Sequence, residues 1–233
     1  MITLLELPFQ FDPVRLTRDL IAASSGQWKA HFNTTGYVGD WSVIALYAPG
    51  GDASNINAFH TEDGQILPTP LLKDCPYFKE VISRFECPIL TARLMKLDAG
   101  AVIKPHKDHA SGYEDGMFRV HIPIHTNSDV EFILDSERIV MKEGECWYTN
   151  VNFEHSVANR GEAARVHLVI DGKRNDWSDK LFFSLAPEED FIPKKKEYSK
   201  EELQQMIECM ENLEGSGYEV HIQKLRKQLK DIS

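Results

Sequence analysis

Residues 88–171 contain eight short runs of β-branched and apolar side chains, each separated from the next by turn-forming residues. No helical periodicity lies between them, and parallel strands need such crossover helices. The pattern therefore predicts a mainly β protein, a jelly roll or cupin-type barrel. The predicted strands are Leu90–Leu97, Ile103–His106, Phe118–Ile124, Val130–Leu134, Glu137–Met141, Cys146–Thr149, His155–Asn159 and Arg165–Asp171.

The segment before the barrel predicts N-terminal helices. Residues 12–32 begin with Asp12 as a helix N-cap and Pro13 at the first helical position. A short strand is expected over Trp41–Ala48, and a second helix over Tyr77–Phe85. These elements and the strands form a predicted domain over residues 1–193, with the barrel core at about 88–172.

The last forty residues have a different character. After the lysine run at 194–196, the pair Ser199 and Glu202 has capping-box spacing, and apolar residues then recur at helical spacing. A Gly-Ser-Gly turn at 215–217 precedes a second helical pattern. We predict a helical hairpin over residues 194–233 as a separate appendage, which either packs on the barrel or pairs two chains into a homodimer.

Charge and cysteine content narrow the function classes. The net charge is −10, and the acidic surplus lies in residues 1–193, so phosphate backbones and anionic lipids are poor partners. No apolar run is long enough to span a bilayer, and no secretory signal opens the chain. The four cysteines form no CxxC pair and are expected to be reduced thiols, which favours a cytoplasmic protein.

Three strands carry polar side chains on one face. His106 and Asp108 are two residues apart, so both side chains point to one side of an extended strand. Arg119 and His121 alternate with apolar residues, and an Arg-x-His pattern returns at Arg165. A barrel lined by such charged groups is costly to fold unless an anion occupies it.

His155 supplies a third candidate metal ligand. It lies ten residues before Arg165, and a hairpin centred on Arg160 would place the two opposite each other. Two imidazoles and one carboxylate, His106, Asp108 and His155, match the ligand set of non-haem Fe(II) oxygenases. Arg165 then offers a permanently charged fork for a distal carboxylate.

The ordered motifs resemble those of the aspartyl/asparaginyl β-hydroxylase family, which includes bacterial proline hydroxylases and is built on a double-stranded β-helix. The resemblance covers about residues 36–172. It is carried by Arg93–Leu97, His106-x-Asp108, Arg119-x-His121-x-Pro123, Gly144-Glu145-x-Trp147-Tyr148, His155-x-Val157-x-Asn159 and Arg165–Val169 with Asp171.

The resemblance implies a dioxygenase that uses Fe(II), 2-oxoglutarate and O2. His106 and His155 would bind iron, Arg165 would bind the 5-carboxylate of 2-oxoglutarate, and His121 would assist it. Asp108 as a third ligand resembles the bacterial enzymes that act on free amino acids and argues against a halogenase. Asn150 stands where many relatives are expected to carry aspartate.

Arg93 and Arg119 are the remaining inward-facing cations, and we predict that they bind the α-carboxylate of the substrate. An internal ion pair is the alternative for Arg93. L-Proline or a similar small amino acid is the first candidate substrate, and an Asp or Asn residue in a peptide or on a carrier is the second.

Two other function classes stay open from the residues alone. A His2Asp site could hold zinc in a hydrolase, although such an enzyme needs neither Arg-x-His strand. A non-catalytic cupin could bind a metal or a small acid. A protein demethylase or nucleic-acid oxygenase would need a basic surface to bind its substrate, and the net charge of −10 argues against both.

Overall fold

A computed structural model describes residues 1–24, 28–57, 65–192, 199–211 and 219–231. The chain divides into two compact units, Met1–Ile192 and Pro193–Ser233. Among the described residues, none of the helices has the length and apolar character needed to cross a membrane. The strands are β1 (Leu4–Gln10), β2 (Lys29–Ala30), β3 (Tyr37–Val38), β4 (Trp41–Pro49), β5 (Ile66–Pro68), β6 (Ile89–Leu97), β7 (Val102–His106), β8 (Met117–His125), β9 (Val130–Leu134), β10 (Glu137–Ile139), β11 (Glu145–Thr149), β12 (His155–Asn159) and β13 (Arg165–Lys173).

The strands of the first unit form two sheets. The larger sheet has the order β1-β11-β8-β13-β6-β4-β2, with β5 paired to β4, and the smaller has the order β10-β9-β12-β7-β3. The strand pairings among the described residues are all antiparallel. From β6 to β13 the chain crosses between the sheets at every step except the β9–β10 hairpin, which gives the predicted double-stranded β-helix, or jelly roll.

The eight predicted barrel strands are all present, with ends that differ by a few residues. The helices of this unit are α1 (Pro13–Ser24), α2 (Pro76–Ser83) and α3 (Asp176–Phe183). Asp12 caps α1 as predicted, since its Oδ1 accepts hydrogen bonds from Val14 N and Arg15 N. The predicted extension of α1 to residue 32 is wrong, because residues 29–30 pair with β4 instead. Sequence patterns also missed β1 and α3.

The larger sheet is buried on both faces. Val120, Ile122, Leu168 and Ile170 lie on its outer face and pack in one core cluster with apolar side chains of the three helices. The alternate residues of β8 and β13 face the space between the two sheets. Arg119 and His121 therefore point into the barrel, as the alternation predicts.

One predicted pairing is wrong. His155 and Arg165 do not face each other in a hairpin, because β12 belongs to the smaller sheet and β13 to the larger one. His155 is instead paired in register with His106 of β7. A crossover between sheets replaces the expected turn, since consecutive strands of a jelly roll alternate between its two sheets.

The second unit contains α4 (Lys200–Glu211) and α5 (Glu219–Asp231). The predicted capping box is present, with Glu202 N bonded to Ser199 Oγ and Ser199 N bonded to the Glu202 carboxylate. Leu203, Ile207 and Leu225 form a small core between the two helices. The lysine run at 194–196 and the Gly-Ser-Gly turn at 215–217 lie outside the described residues. Homodimerisation through these helices stays a prediction.

Candidate metal centre and active site

A cavity of about 490 Å³ opens between the two sheets. Its apolar wall includes Trp41, Met95, Met117 and Phe132. All seven side chains predicted to act in the site line this cavity, namely Arg93, His106, Asp108, Arg119, His121, His155 and Arg165. The fold thus brings together groups that are spread over 73 residues of sequence.

His106, Asp108 and His155 form a compact cluster at one side of the cavity. One ligand atom from each lies within 4.8 Å of the others. His106 Nε2 is 3.8 Å from Asp108 Oδ1, and the centroids of the two imidazole rings are 4.2 Å apart. The proximity follows from the register, because His106 and His155 are directly opposed across β7 and β12.

The backbone orients both imidazoles toward the cluster. His106 Nδ1 is 2.8 Å from the carbonyl of Lys104, and His155 Nδ1 is 3.0 Å from the carbonyl of Phe153. A carbonyl can only accept, so each Nδ1 carries the proton and each Nε2 keeps a lone pair. Such outer hydrogen bonds are the usual support of metal-binding histidines. The three residues therefore fit a divalent transition metal.

Charge also suits the cluster to a metal. Burial lowers the pKa of His155 to about 4, so its ring is neutral at pH 7. Burial alone would raise the pKa of Asp108, but the neighbouring Arg119 outweighs it, and the pKa lies below its usual value. Asp108 Oδ2 accepts a 2.6 Å hydrogen bond from Arg119. The Asp108 carboxylate and the neutral His155 imidazole are therefore available together beside His106.

Arg165 is a buried cation in the cavity wall. Only 3% of it is exposed, and burial lowers its pKa to about 9. Its Nη2 donates to His167 Nδ1 at 2.9 Å, while its Nε has no hydrogen-bond partner within the described part of the chain. Among the described residues no carboxylate pairs with Arg165. His121 packs beside it against Phe132, and His121 Nδ1 is also buried without a partner.

Arg93 and Arg119 converge on the buried carboxylate of Asp171, for which the sequence predicted no role. Arg119 donates to both Asp171 oxygens, at 2.7 and 3.2 Å, and Arg93 donates to Oδ2 at 3.0 Å. The alternative foreseen for Arg93, an internal ion pair, is thus present. Thr91 adds a 2.8 Å hydrogen bond to Asp171. The barrel interior is consequently less cationic than the arginines alone suggest.

Two residues of this region lacked a clear signal in the sequence. Asp171 shares the alternation of Arg165 and His167, so its parity could have placed it on the inward face. His31 lines the cavity beside Trp41, but it follows a two-residue strand at a sheet edge, where no periodicity is measurable.

Asn150 lies in the turn before His155 and binds the carboxylate of Glu114. Its Nδ2 donates to both oxygens of Glu114, at 3.2 and 3.0 Å, and Asn152 donates to the same carboxylate at 2.8 Å. The backbone N–H of Asp108 also donates to the carbonyl of Val151 at 2.9 Å. These bonds connect the loop that carries Asp108 to the turn that precedes His155.

We expect Asp171→Asn to destabilise the protein by about 3–5 kcal/mol, because removing one partner of a buried ion pair leaves the other charges uncompensated. Burial opposes ionisation of Asp171, but Arg119 and Arg93 lower its pKa below the usual value. A carboxylate with a lowered folded-state pKa contributes stability above the unfolded-state value, about 3.9, and loses it as pH falls through the lower folded-state value.

Chemical denaturation of wild type and Asp171→Asn between pH 7 and pH 3 checks this. The difference in unfolding free energy should be largest at pH 7 and should narrow below about pH 4. Asp98→Asn, which removes a surface pair with Lys96, is the control and should cost at most about 1 kcal/mol. If Asp171→Asn and Asp98→Asn lowered the unfolding free energy equally, Asp171 would not belong to a stabilising buried ion-pair network.

Comparison with known proteins agrees with this geometry. The family model described as Aspartyl/Asparaginyl beta-hydroxylase matches residues 15–175. L-proline cis-4-hydroxylase of Rhizobium meliloti (strain 1021) is 27% identical over 165 residues. The match covers 70% of this chain and 58% of that protein, so the chain spans less than two thirds of the length of this relative.

A solved structure shows the same fold. An oxidoreductase of the 2OG-Fe(II) oxygenase family from Burkholderia pseudomallei superposes with a TM-score of 0.52 and 16% identity. The superposition covers 75% of this chain and 88% of that chain. The two-sheet fold is thus shared with a solved structure.

Proposed function

The chain belongs to the aspartyl/asparaginyl β-hydroxylase family, and from that premise we propose that it is an Fe(II)- and 2-oxoglutarate-dependent dioxygenase that hydroxylates a C–H bond of a free amino acid. The observation that carries the proposal is one cavity that holds both the His106, Asp108 and His155 cluster and Arg165, a buried cation with no carboxylate partner among the described residues.

The cluster would hold Fe(II) through His106 Nε2, His155 Nε2 and a carboxylate oxygen of Asp108. When bound, the iron would supply O2-dependent C–H oxidation coupled to conversion of 2-oxoglutarate to succinate and CO2. The protein orients both imidazoles through the Lys104 and Phe153 carbonyls. Arg119 holds one oxygen of Asp108 and so limits how that side chain can rotate.

Arg165 would bind the distal carboxylate of 2-oxoglutarate. A buried guanidinium without a counter-ion is costly, and a bidentate carboxylate would compensate it. His121 lies close enough to Arg165 for the arginine charge to oppose its protonation, and burial lowers its pKa well below the usual value. A neutral His121 can add a hydrogen bond to the cosubstrate without adding charge.

Arg93 and Arg119 would bind the α-carboxylate of the substrate. Asp171 accepts from both but leaves Arg93 Nε without a partner, and both guanidinium groups border the cavity. Asp171 would then hold the two guanidinium groups in place without occupying all of their hydrogen-bond donors. The apolar wall of Trp41, Met95 and Met117 suits a small aliphatic or cyclic side chain. The proline hydroxylase relative makes L-proline the first candidate.

Incubation with Fe(II), ascorbate and 2-oxoglutarate tests the proposal. Each of a panel of free L-amino acids, led by L-proline, is added separately, and succinate and hydroxylated product are quantified by mass spectrometry. We expect one amino acid to stimulate succinate release and to gain one oxygen atom in equal amount. Stimulation only by Asp- or Asn-containing peptides would favour the peptidyl substrate. Metal and 2-oxoglutarate binding without succinate would indicate a non-catalytic binding protein.

We also propose the cytoplasm as the compartment. The four cysteines are free, and burial raises the pKa of the Cys75 thiol to about 11 and that of Cys87 to about 12. Such thiols stay protonated and unreactive at neutral pH. Unpaired cysteines are typical of a reducing environment.

A further inference from the structure

His31 occupies an unusual position for an edge residue. It follows β2 directly, and its backbone N–H donates to the carbonyl of Trp41 at 2.8 Å. The imidazole stacks on the Trp41 indole with the ring centroids 3.5 Å apart and the planes 12° from parallel. The residue is only 6% exposed, yet it lines the cavity. Stacking therefore fixes the plane of a polar ring at the edge of the substrate space.

The hydrogen bonding of the ring defines its tautomer. The backbone N–H of Asn33 donates to His31 Nδ1 at 3.3 Å. Nδ1 can accept only when it carries no proton, so the neutral ring bears its proton on Nε2. Burial, together with the charge of Arg93, lowers the pKa of His31 to about 3, which keeps the ring neutral at physiological pH. Within the described part of the chain, Nε2 has no hydrogen-bond acceptor.

The charges around His31 place it among the groups already assigned to the site. Arg93, Arg119 and His106 each oppose its protonation, and Asp108 favours it. These four residues line the same cavity. A third cation beside Arg93 and Arg119 would be repelled by both, whereas a neutral N–H donor is not. The position thus suits a donor that recognises an acceptor atom without altering the charge of the site.

We propose that His31 is a specificity-determining residue whose Nε2–H donates a hydrogen bond to a carboxylate oxygen of the amino-acid substrate. The inference rests on the proposed function, and it adds to the two arginines a neutral donor of fixed orientation. Trp41 is the positioning residue, because its indole sets the plane of the imidazole. A substrate without an acceptor at this point would leave the buried donor unpaired, so the site discriminates against it.

Two substitutions separate the donor from the stacked ring. His31→Phe keeps an aromatic ring against Trp41 and removes the N–H, whereas His31→Gln restores a donor near the position of Nε2. His125→Phe, at the end of β8 and outside the cavity lining, is the matched control. Each protein is loaded with Mn(II) and 2-oxoglutarate under nitrogen, and L-proline and other free L-amino acids are titrated by calorimetry. KM values for the amino acid and for 2-oxoglutarate are measured with Fe(II).

We expect His31→Phe to weaken amino-acid binding and to raise the amino-acid KM by about 10- to 100-fold, which is the effect of losing a hydrogen bond to a charged group. The KM for 2-oxoglutarate and the amino-acid-independent succinate formation should stay at wild-type values. His31→Gln should recover most of the affinity, and His125→Phe should match wild type.

An unchanged amino-acid affinity in His31→Phe would overturn the inference. Equal losses in His31→Phe and His31→Gln, accompanied by a lower melting temperature, would assign His31 a purely structural role and would also overturn it. If the wild-type protein bound none of the amino acids, the proposed hydrogen bond from His31 to the substrate would be refuted. Succinate formation by that protein without an amino acid would still support a 2-oxoglutarate-dependent dioxygenase, whereas its absence would also refute the proposed function.

Discussion

Substitution of His106 or His155 by alanine is expected to abolish Fe(II)-dependent succinate formation. Each histidine presents an Nε2 lone pair to the same point, and its Nδ1 is fixed by a backbone carbonyl. Loss of an outer hydrogen bond alone typically lowers metal affinity about 10- to 100-fold, so loss of the ligand itself should exceed about 100-fold. His125→Ala is the control, because His125 lies outside the cavity lining.

Metal binding and turnover should be measured on the same preparations. Affinity for Fe(II), or for Mn(II) as an oxygen-stable probe, is obtained by anaerobic competition with a chelator, and succinate is quantified in parallel. We expect both alanine variants to stay folded. His106 is half-buried, and both histidines line the cavity, so each substitution removes side-chain atoms from the cavity wall and none from the core that packs against the helices. Wild-type metal affinity with Fe(II)-dependent succinate in either variant would refute the ligand assignment.

Replacement of Arg165 by methionine should raise the KM for 2-oxoglutarate steeply while metal affinity stays unchanged. Loss of a buried charged partner costs on the order of 2–5 kcal/mol. At about 1.4 kcal/mol per tenfold, that corresponds to an increase of about 30-fold to several thousand-fold. His121→Ala should give a smaller increase, because it removes a neutral hydrogen-bonding group rather than the charge.

The same substitution should not destabilise the ligand-free protein. Arg165 is 3% exposed, and no carboxylate pairs with it among the described residues, so its charge opposes folding. Methionine fills a similar volume without that cost, and we expect an unfolding free energy equal to or above that of wild type. Arg160→Met is the control, since Arg160 forms a surface pair with Glu131. An unchanged KM together with lower stability would make Arg165 structural.

These two experiments separate the metal from the cosubstrate. Alanine at a histidine ligand should remove turnover and metal binding together, whereas methionine at Arg165 should leave metal binding intact. Asp171→Asn differs from both, because it acts first on the free energy of unfolding. If alanine at a histidine ligand, methionine at Arg165 and Asp171→Asn all changed turnover, metal binding and unfolding free energy alike, these residues would only pack the cavity.

Local sequence signals were sufficient for the barrel strands and for the pair His106 and Asp108 of the metal cluster. The turn residues between the runs in 88–171 limited each strand to within a few residues of its observed ends. His106 and Asp108 are two residues apart in sequence, and this short spacing predicted their proximity, although β7 ends at His106 and Asp108 lies on the loop that follows it. Arg119, His121 and Arg165 were assigned to the inward face by strand alternation, which depends only on the two-residue period of an extended chain.

Contacts between sheets could not be derived in this way. Sequence spacing suggested a hairpin between His155 and Arg165, but β12 and β13 lie in different sheets and His155 pairs with His106. The choice of partner strand depends on how both sheets fold over the core, and that is a property of the whole domain.

The sequence by itself determined which residue types face the interior: the periodicity of each strand depends on backbone geometry, which acts between neighbours along the chain. The tertiary structure decided which of these residues meet. Asp171 joins Arg93 and Arg119 because β13 lies between β6 and β8. His31 reaches the cavity because the end of an edge strand bonds to Trp41. Both contacts form only when distant segments pack together, since burial of charged and polar groups is compensated only by partners that the fold supplies.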